Sequence, residues 1–478
     1  MSIYMEKGAV TMTNADNNSE LRDAWLPIVR RSGGPMYLAI ADALAMDIAS
    51  GRLSAGVRLP PQRSLAETLE IDFTTVSRAY AEARKRGLVE GRVGQGTYVR
   101  SQITPPPAKT GLVDMSMNLP PRFDLPLLET RLWDDINSLR QDGGINLLLR
   151  YQEPGGSARD RAAGATWLKP RLPDATFERI LVCPGAQGAL MALVGALAAP
   201  GETILCEPLT YPGMISLAAH LRLKLSPVAC DSSGLLPEAF EAACLSEAPK
   251  ALYCTPTLQN PTTITLPTER REALVRIARK YAVPIIEDDP YGALPKAPLP
   301  PLANIGPDIV YHIASLSKTV SPALRIAYLV LPDARAASRL AGAIRATAAL
   351  APPLTAAIST RWIESGTAFD VLAAIRAETH ARQAIVRATL PAEAIQTDPE
   401  GYHLWLRLSD AWTRSEFTAH LRTRNISVVA SDAFAVGTAP EAVRLGLGAA
   451  TTRAELTQSL QIVADALAQS PALSSLVV

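Results

Sequence analysis

Apolar residues recur at helical spacing from Met36 to Ser50, where Tyr37, Ile40, Ala41, Leu44, Ile48 and Ala49 form one stripe that stops at Gly51. Ser64, with Glu67 three residues on, reads as the N-cap of a second helix reaching Leu69. Asp72 reads as the N-cap of a third, which continues through Thr74, Val76, Arg78, Ala79, Tyr80 and Ala83 to a stop at Gly87. Leu88 to Val99 then alternates apolar and polar residues around Gly91, Gly94 and Gly96, the pattern of a tight hairpin. Three short helices and a glycine-tipped hairpin predict a winged helix-turn-helix.

Further along, Ile180–Cys183, Ile204–Cys206, Ala251–Cys254, Pro284–Ile286 and Tyr311–Ala314 read as buried strands, with segments such as Pro267–Tyr281 as helices between them. Strands alternating with helices predict an α/β body built on a mostly parallel, doubly wound sheet. Ligands of such sheets bind beyond the carboxyl ends of the strands, so polar residues just after these runs are the first candidates. Between head and body, Ser101–Lys109 holds three consecutive prolines, which impose extended geometry. The expected division is a tail and lead-in at 1–35, the winged head at 36–100, a proline-rich linker at 101–115 and the body at 116–478.

Composition narrows the possible partners. Of 478 residues, 48% are hydrophobic, which excludes wholesale disorder. The 47 basic and 46 acidic side chains leave a net charge of +1, so any polyanion must be bound locally rather than by bulk charge. The local candidate is the cluster Arg78, Arg84, Lys85, Arg86 and Arg92, on or just after the third helix. Ala186–Ala199 is interrupted by Gln187 and is short for a membrane span of about 20 residues, so no membrane partner is expected. Met1–Asn18 lacks the apolar core of a signal peptide, and a cytoplasmic location is expected. Cysteines 183, 206, 230, 244 and 254 have no CxxC spacing and read as reduced, with no metal site.

Four strand ends carry groups that have ordinary explanations one at a time. They are Ser315-Leu316-Ser317-Lys318 with Arg325, Glu287-Asp288-Asp289-Pro290-Tyr291, Gln259-Asn260-Pro261, and Pro184-Gly185-Ala186-Gln187-Gly188 opening a helix. Together they offer a lysine able to form a Schiff base, an acid for a protonated ring nitrogen, hydroxyl and arginine groups for a phosphate, and an amide for a ring oxygen. That set is what pyridoxal 5'-phosphate requires.

The segment LPPQRSLAETLEIDFTTVSRAYAEARKRGLVEGRVGQGTYV resembles the DNA-binding domain of GntR-type regulators along its whole length. The resemblance implies DNA contacts from an arginine before the second helix, Arg63, from Thr74, Thr75, Ser77 and Arg78 on the recognition helix, and from the wing glycines Gly94 and Gly96. Asp72 and Phe73 depart from the small polar residue and arginine common at these places. The body resembles fold type I aminotransferases, with a smaller C-terminal lobe, and the pairing of the two resembles the MocR subfamily.

This second resemblance implies Lys318 as the Schiff-base and catalytic residue, Asp288 on the ring nitrogen, Tyr291 and Asn260 on the ring oxygen, and Tyr211 stacked on the ring. Gly185, Ala186, Gln187, Ser315, Ser317 and Arg325 are implied for the phosphate, joined by Tyr151 from the neighbouring subunit of a homodimer. Arg444 is implied for a substrate carboxylate, and Asn118 stands where a pocket glycine is usual. The protein is therefore expected to be a promoter-binding transcription regulator that senses an amino acid, an amine or pyridoxal 5'-phosphate itself. The named catalytic positions are chemically intact, which keeps open an active aminotransferase with an accessory DNA-binding domain.

Overall fold

The computed structural model describes residues 25–27, 35–49, 52–54, 56–86, 88–92, 96–99, 111–142 and 144–469. Gly94, most of the expected tail and residues 101–110 of the expected linker lie outside the described residues. The chain divides into two compact units, Met1–Thr110 and Gly111–Val478.

In the first unit, helices α1 (Met36–Ala49), α2 (Gln62–Thr68) and α3 (Phe73–Lys85) precede an antiparallel pair, β1 (Val89–Arg92) and β2 (Gly96–Val99). Ile40 and Leu44 of α1, Leu65 of α2, Val76, Ala79, Tyr80 and Ala83 of α3, and Val89 and Val99 of the wing close one apolar core. Asp72 caps α3 by accepting the Thr74 amide proton at 2.7 Å, and Arg84 and Lys85 occupy the last turn, where the helix dipole favours cations. The second helix starts two residues before Ser64, because Pro61 already holds a fixed φ and its carbonyl accepts the Leu65 amide at 3.0 Å. Ser64 therefore lies within α2 rather than capping it, and Arg63 lies within the helix rather than before it.

The second unit is built on a seven-stranded sheet. Its strands are β4 (Ile180–Cys183), β5 (Thr203–Cys206), β6 (Lys224–Pro227), β9 (Ala251–Cys254), β10 (Ile285–Asp288), β11 (Val310–Ser315) and β12 (Ala327–Val330). A short hairpin, β7 (Cys230–Asp231) and β8 (Gly234–Leu235), leaves its edge. The order is β4-β12-β11-β10-β9-β5-β6, and only β12 runs against its neighbours. Successive side chains leave opposite faces, so Ile180 and Val182 enter one core cluster while Leu181 and Cys183 enter the other. A smaller antiparallel sheet, β13 (Ile395–Thr397), β14 (His403–Arg407), β16 (Val429–Ala430) and β17 (Ala442–Gly446), follows in the chain.

Two expected boundaries move. The strand expected to end at Ile286 continues through Glu287 and Asp288, because Glu287 is satisfied internally: it accepts the Leu302 and Ala303 amides at 2.8 and 3.0 Å and meets His312 Nδ1 at 2.8 Å. The linker ends earlier than expected. Val113–Asp114, here β3, pairs in parallel with β15 (Ile426–Ser427), and Met115 is fully buried, so these residues belong to the body. Among the described residues, no helix is long and apolar enough to cross a membrane.

Candidate functional site

The chain direction of β4, β5, β9, β10 and β11 brings their carboxyl ends to one edge of the sheet, and the antiparallel β12 brings its start to the same edge. The segments leaving that edge line a cavity of about 400 Å³. β4 leads to Ala186 and Gln187, β5 to Tyr211, β9 to Thr255 and Asn260, β10 to Asp288 and Tyr291, and β11 to Ser315, Ser317 and Lys318. Arg325, before β12, Asn118 and Arg444 of β17 complete it.

Gly185, at the start of the helix Gly185–Leu197, has φ +74°, and a Cβ there would lie 3.0 Å from Arg325 Nη2. Only glycine lets this helix N-terminus approach the guanidinium so closely. The combination offers an anion both amides and a cation. Ser317 amide donates to Ser315 Oγ at 3.2 Å, leaving Ser317 Oγ buried without a partner among the described residues.

Asp288 closes β10 with one oxygen engaged and one bare. Tyr253, inside β9, donates its hydroxyl to Asp288 Oδ2 at 2.7 Å, whereas Oδ1 is buried without a partner among the described residues. Burial pushes this carboxyl up to about 6; the Tyr253 hydroxyl opposes the rise and the Asp289 charge adds to it. Behind it, Asp289 pairs with the buried Arg171 guanidinium.

Lys318 Nζ donates to the backbone carbonyl of Asn118, and the Tyr402 hydroxyl donates to the Lys318 carbonyl at 2.9 Å. Burial, then the charges of Arg444 and Arg325, lower the Lys318 ammonium to about 8. Asn118 Nδ2 donates to the Tyr291 hydroxyl oxygen at 2.8 Å, so the residue in the usual glycine place positions a second candidate. Arg444 donates to Asn260 Oδ1 at 3.3 Å and to the Ser116 carbonyl, lies over the Phe434 ring at 5.4 Å, and has no partner for its Nε among the described residues.

Thus Lys318, Asp288, Tyr291, Asn260, Tyr211, Ala186, Gln187, Ser315, Ser317, Arg325, Arg444 and Asn118 converge on one cavity, with Gly185 against Arg325 at its edge. Tyr151 does not join them and is 96% exposed. The sequence reading passes over Tyr253, Tyr402 and Phe434. Tyr253 and Tyr402 sit in or beside an apolar strand segment and Phe434 ends the short turn Ser431–Ala433, places where an aromatic reads as core, and only the pairing of β9 with β10 sets Tyr253 beside Asp288.

On the head, Arg63, Thr74 and Arg78 are exposed and Thr75 and Ser77 half-buried. The Arg78 guanidinium lies 4.3 Å from the centre of the Tyr37 ring, a cation–π contact that holds it against α1. Arg86 of the expected basic cluster is already paired with Asp42 and Glu82. Gly96 has φ +110°, and a Cβ there would lie 3.0 Å from Arg58 Nε. Arg58, absent from the sequence reading, is thereby placed beside the wing.

Comparison with known proteins agrees with both units. Residues 134–463 match the family described as aminotransferase class I and II, and residues 36–99 match the gntR family of bacterial regulatory proteins. The uncharacterized HTH-type transcriptional regulator YdeF of Bacillus subtilis is 31% identical over 92% of this chain and 96% of its own length. The vitamin B6 salvage pathway transcriptional repressor PtsJ of Salmonella typhimurium is 29% identical over 63% of this chain and 68% of its own. Among solved structures, the α-aminoadipate aminotransferase LysN of Thermus thermophilus shares the fold, with a TM-score of 0.67 and 23% identity over 78% of this chain and 96% of that one. A GntR-type head joined to a class I and II aminotransferase body places this chain in the MocR subfamily of GntR-type transcription regulators.

Proposed function

We propose that the protein regulates transcription by binding promoter DNA through its head while its body holds pyridoxal 5'-phosphate at Lys318 and senses the cofactor or a small amine or amino acid there. One observation carries this reading: a half-buried lysine, a buried acid with a bare oxygen and an arginine beside a helix N-terminus face one cavity. The fit is chemical at each end. A protonated pyridine nitrogen supplies the donor and charge that Asp288 Oδ1 lacks, and a phosphate supplies acceptors for Arg325, Ser317 and the amides after Gly185. When bound, pyridoxal 5'-phosphate supplies an electrophilic carbon for an amine and a ring that accepts electrons.

The protein's own residues do the rest. The lowered Lys318 ammonium brings its free amine within reach of neutral pH, where it can act as a nucleophile. The Tyr291 hydroxyl, whose oxygen accepts from Asn118, keeps its own proton available to the cavity. Arg444 is fixed by Asn260 and Ser116 with its Nε free, which suits an effector carboxylate. A homodimer would bring the exposed Tyr151 to the partner's cavity and double the DNA-binding charge. Control of DNA binding further requires an effector with unequal affinity for two states of the protein.

Mixing with pyridoxal 5'-phosphate should turn the protein yellow, and borohydride reduction should bleach that colour and leave one cofactor mass on the Lys318 peptide; colour and mass should both be lost in Lys318→Ala. Labels spread evenly over other lysines would contradict the assignment.

Asp288 also sets a pH signature. Its folded value of about 6 lies above the ordinary 3.8, so its stabilising contribution is full below that lower value and is lost as pH rises through 6. Urea titrations of cofactor-free protein should show wild type losing roughly 2–3 kcal/mol relative to Asp288→Asn between pH 4 and 7. A difference that does not vary with pH would remove the buried, unpaired acid from the account.

Arg78→Ala should weaken binding to the protein's own promoter and reduce the slope of log affinity against log salt by about 1 if the side chain meets phosphate. An unchanged slope with relaxed sequence preference would assign it to a base instead.

A further inference from the structure

A second cavity of about 450 Å³ adjoins the Lys318 cavity at Thr255. It is bounded by Glu207–Leu209 after β5, the β7–β8 hairpin, the loop from Thr255 to Leu266 after β9, and Trp405 and Arg407 of β14. Thr255 lines both cavities. Leu235, Ile264, Leu266 and Trp405 give the second one an apolar body.

Its polar end is Glu207, which is 6% exposed. Oε1 accepts the Thr255 amide at 3.0 Å, and Oε2 is buried without a partner among the described residues. The other acid of the lining, Asp231, is paired with Arg270 at 2.5 Å, so Glu207 is the carboxyl left to receive a ligand. We propose that this cavity binds a small primary monoamine with an apolar body, its ammonium on Glu207, and that occupation is felt at Asp288 through their shared wall.

An ammonium supplies in one group both the donor and the charge that Glu207 Oε2 lacks. An alcohol supplies only the donor, and an anion neither. Arg407, an exposed cation of the lining, disfavours a second ammonium and so selects monoamines over diamines. Burial holds the Glu207 carboxyl up to about 7, and the charge of Asp288 contributes to that rise. An ammonium beside Glu207 relieves this like-charge repulsion, which ties the two cavities energetically. The amine site itself does not need the cofactor; only the coupling rests on the cofactor reading.

The test uses full-length, cofactor-free protein titrated calorimetrically with 3-methylbutylamine and with the uncharged 3-methylbutanol. Pyridoxine 5'-phosphate, which has an alcohol in place of the aldehyde and cannot condense with the amine, reports on the Lys318 cavity. One amine should bind per chain, with the alcohol roughly tenfold weaker or more. Glu207→Gln, which removes the charge, and Ile264→Trp, which fills the apolar body and leaves the acid in the sequence, should each weaken the amine to a similar extent of about tenfold. Amine and pyridoxine 5'-phosphate should bind together, each tightening the other by the same factor, about fivefold. Equal affinity for amine and alcohol, wild-type affinity in both variants, or displacement of the amine by pyridoxine 5'-phosphate would each overturn the site. The predicted amine pattern in a protein that takes no pyridoxine 5'-phosphate upholds the amine site and removes the cofactor reading, and with it the coupling.

Discussion

A cavity that holds the half-buried Lys318 and the buried Arg444, neither ion-paired among the described residues, opposite an acid with one bare oxygen is electrostatically incomplete. Burying a charge without a partner costs several kcal/mol, and proteins respond by shifting the protonation equilibrium or by binding what is missing. Both signs are present: the ammonium of Lys318 is lowered and the carboxyl of Asp288 is raised. In the proposed function, a zwitterionic aromatic phosphate would satisfy the opposite ends of the cavity together.

The sheet exists to hold that arrangement. Side chains from five parallel strands and from the start of β12 meet because one edge collects every carboxyl end, and two core clusters fix the strands from both faces. Rigid backbone sets the positions of the functional groups, while the groups themselves leave from short segments just past the strands. The head follows the same economy on a smaller scale: its core orients α3 by the buried stripe Val76, Ala79, Tyr80 and Ala83, leaving Thr74 and Arg78 on the open face.

Much of this was legible in the sequence because period and punctuation coincide. The runs Ile180–Cys183 and Ala251–Cys254 are strands with those same bounds, and the N-cap Asp72 begins α3 where its spacing places it. Error arose where tertiary contacts override a local signal. Glu287 looks like a solvated strand end but is buried on His312 and two amides, which lengthens β10. Val113–Asp114 follows a proline-rich stretch yet gains a strand partner more than three hundred residues away. Tyr253 could not be found from its neighbours, since its role depends on the register of β9 against β10.

In the proposed function, the charge state of the body's cavity governs the head's hold on DNA. The most direct measurement is the affinity of the full-length protein for its own promoter at fixed salt, with and without saturating pyridoxal 5'-phosphate. Wild type should change affinity by about fivefold or more, the usual range of coupling between sites, and Asp288→Ala should show no change at the same cofactor concentration. Equal affinity of wild type with and without bound cofactor would contradict the account.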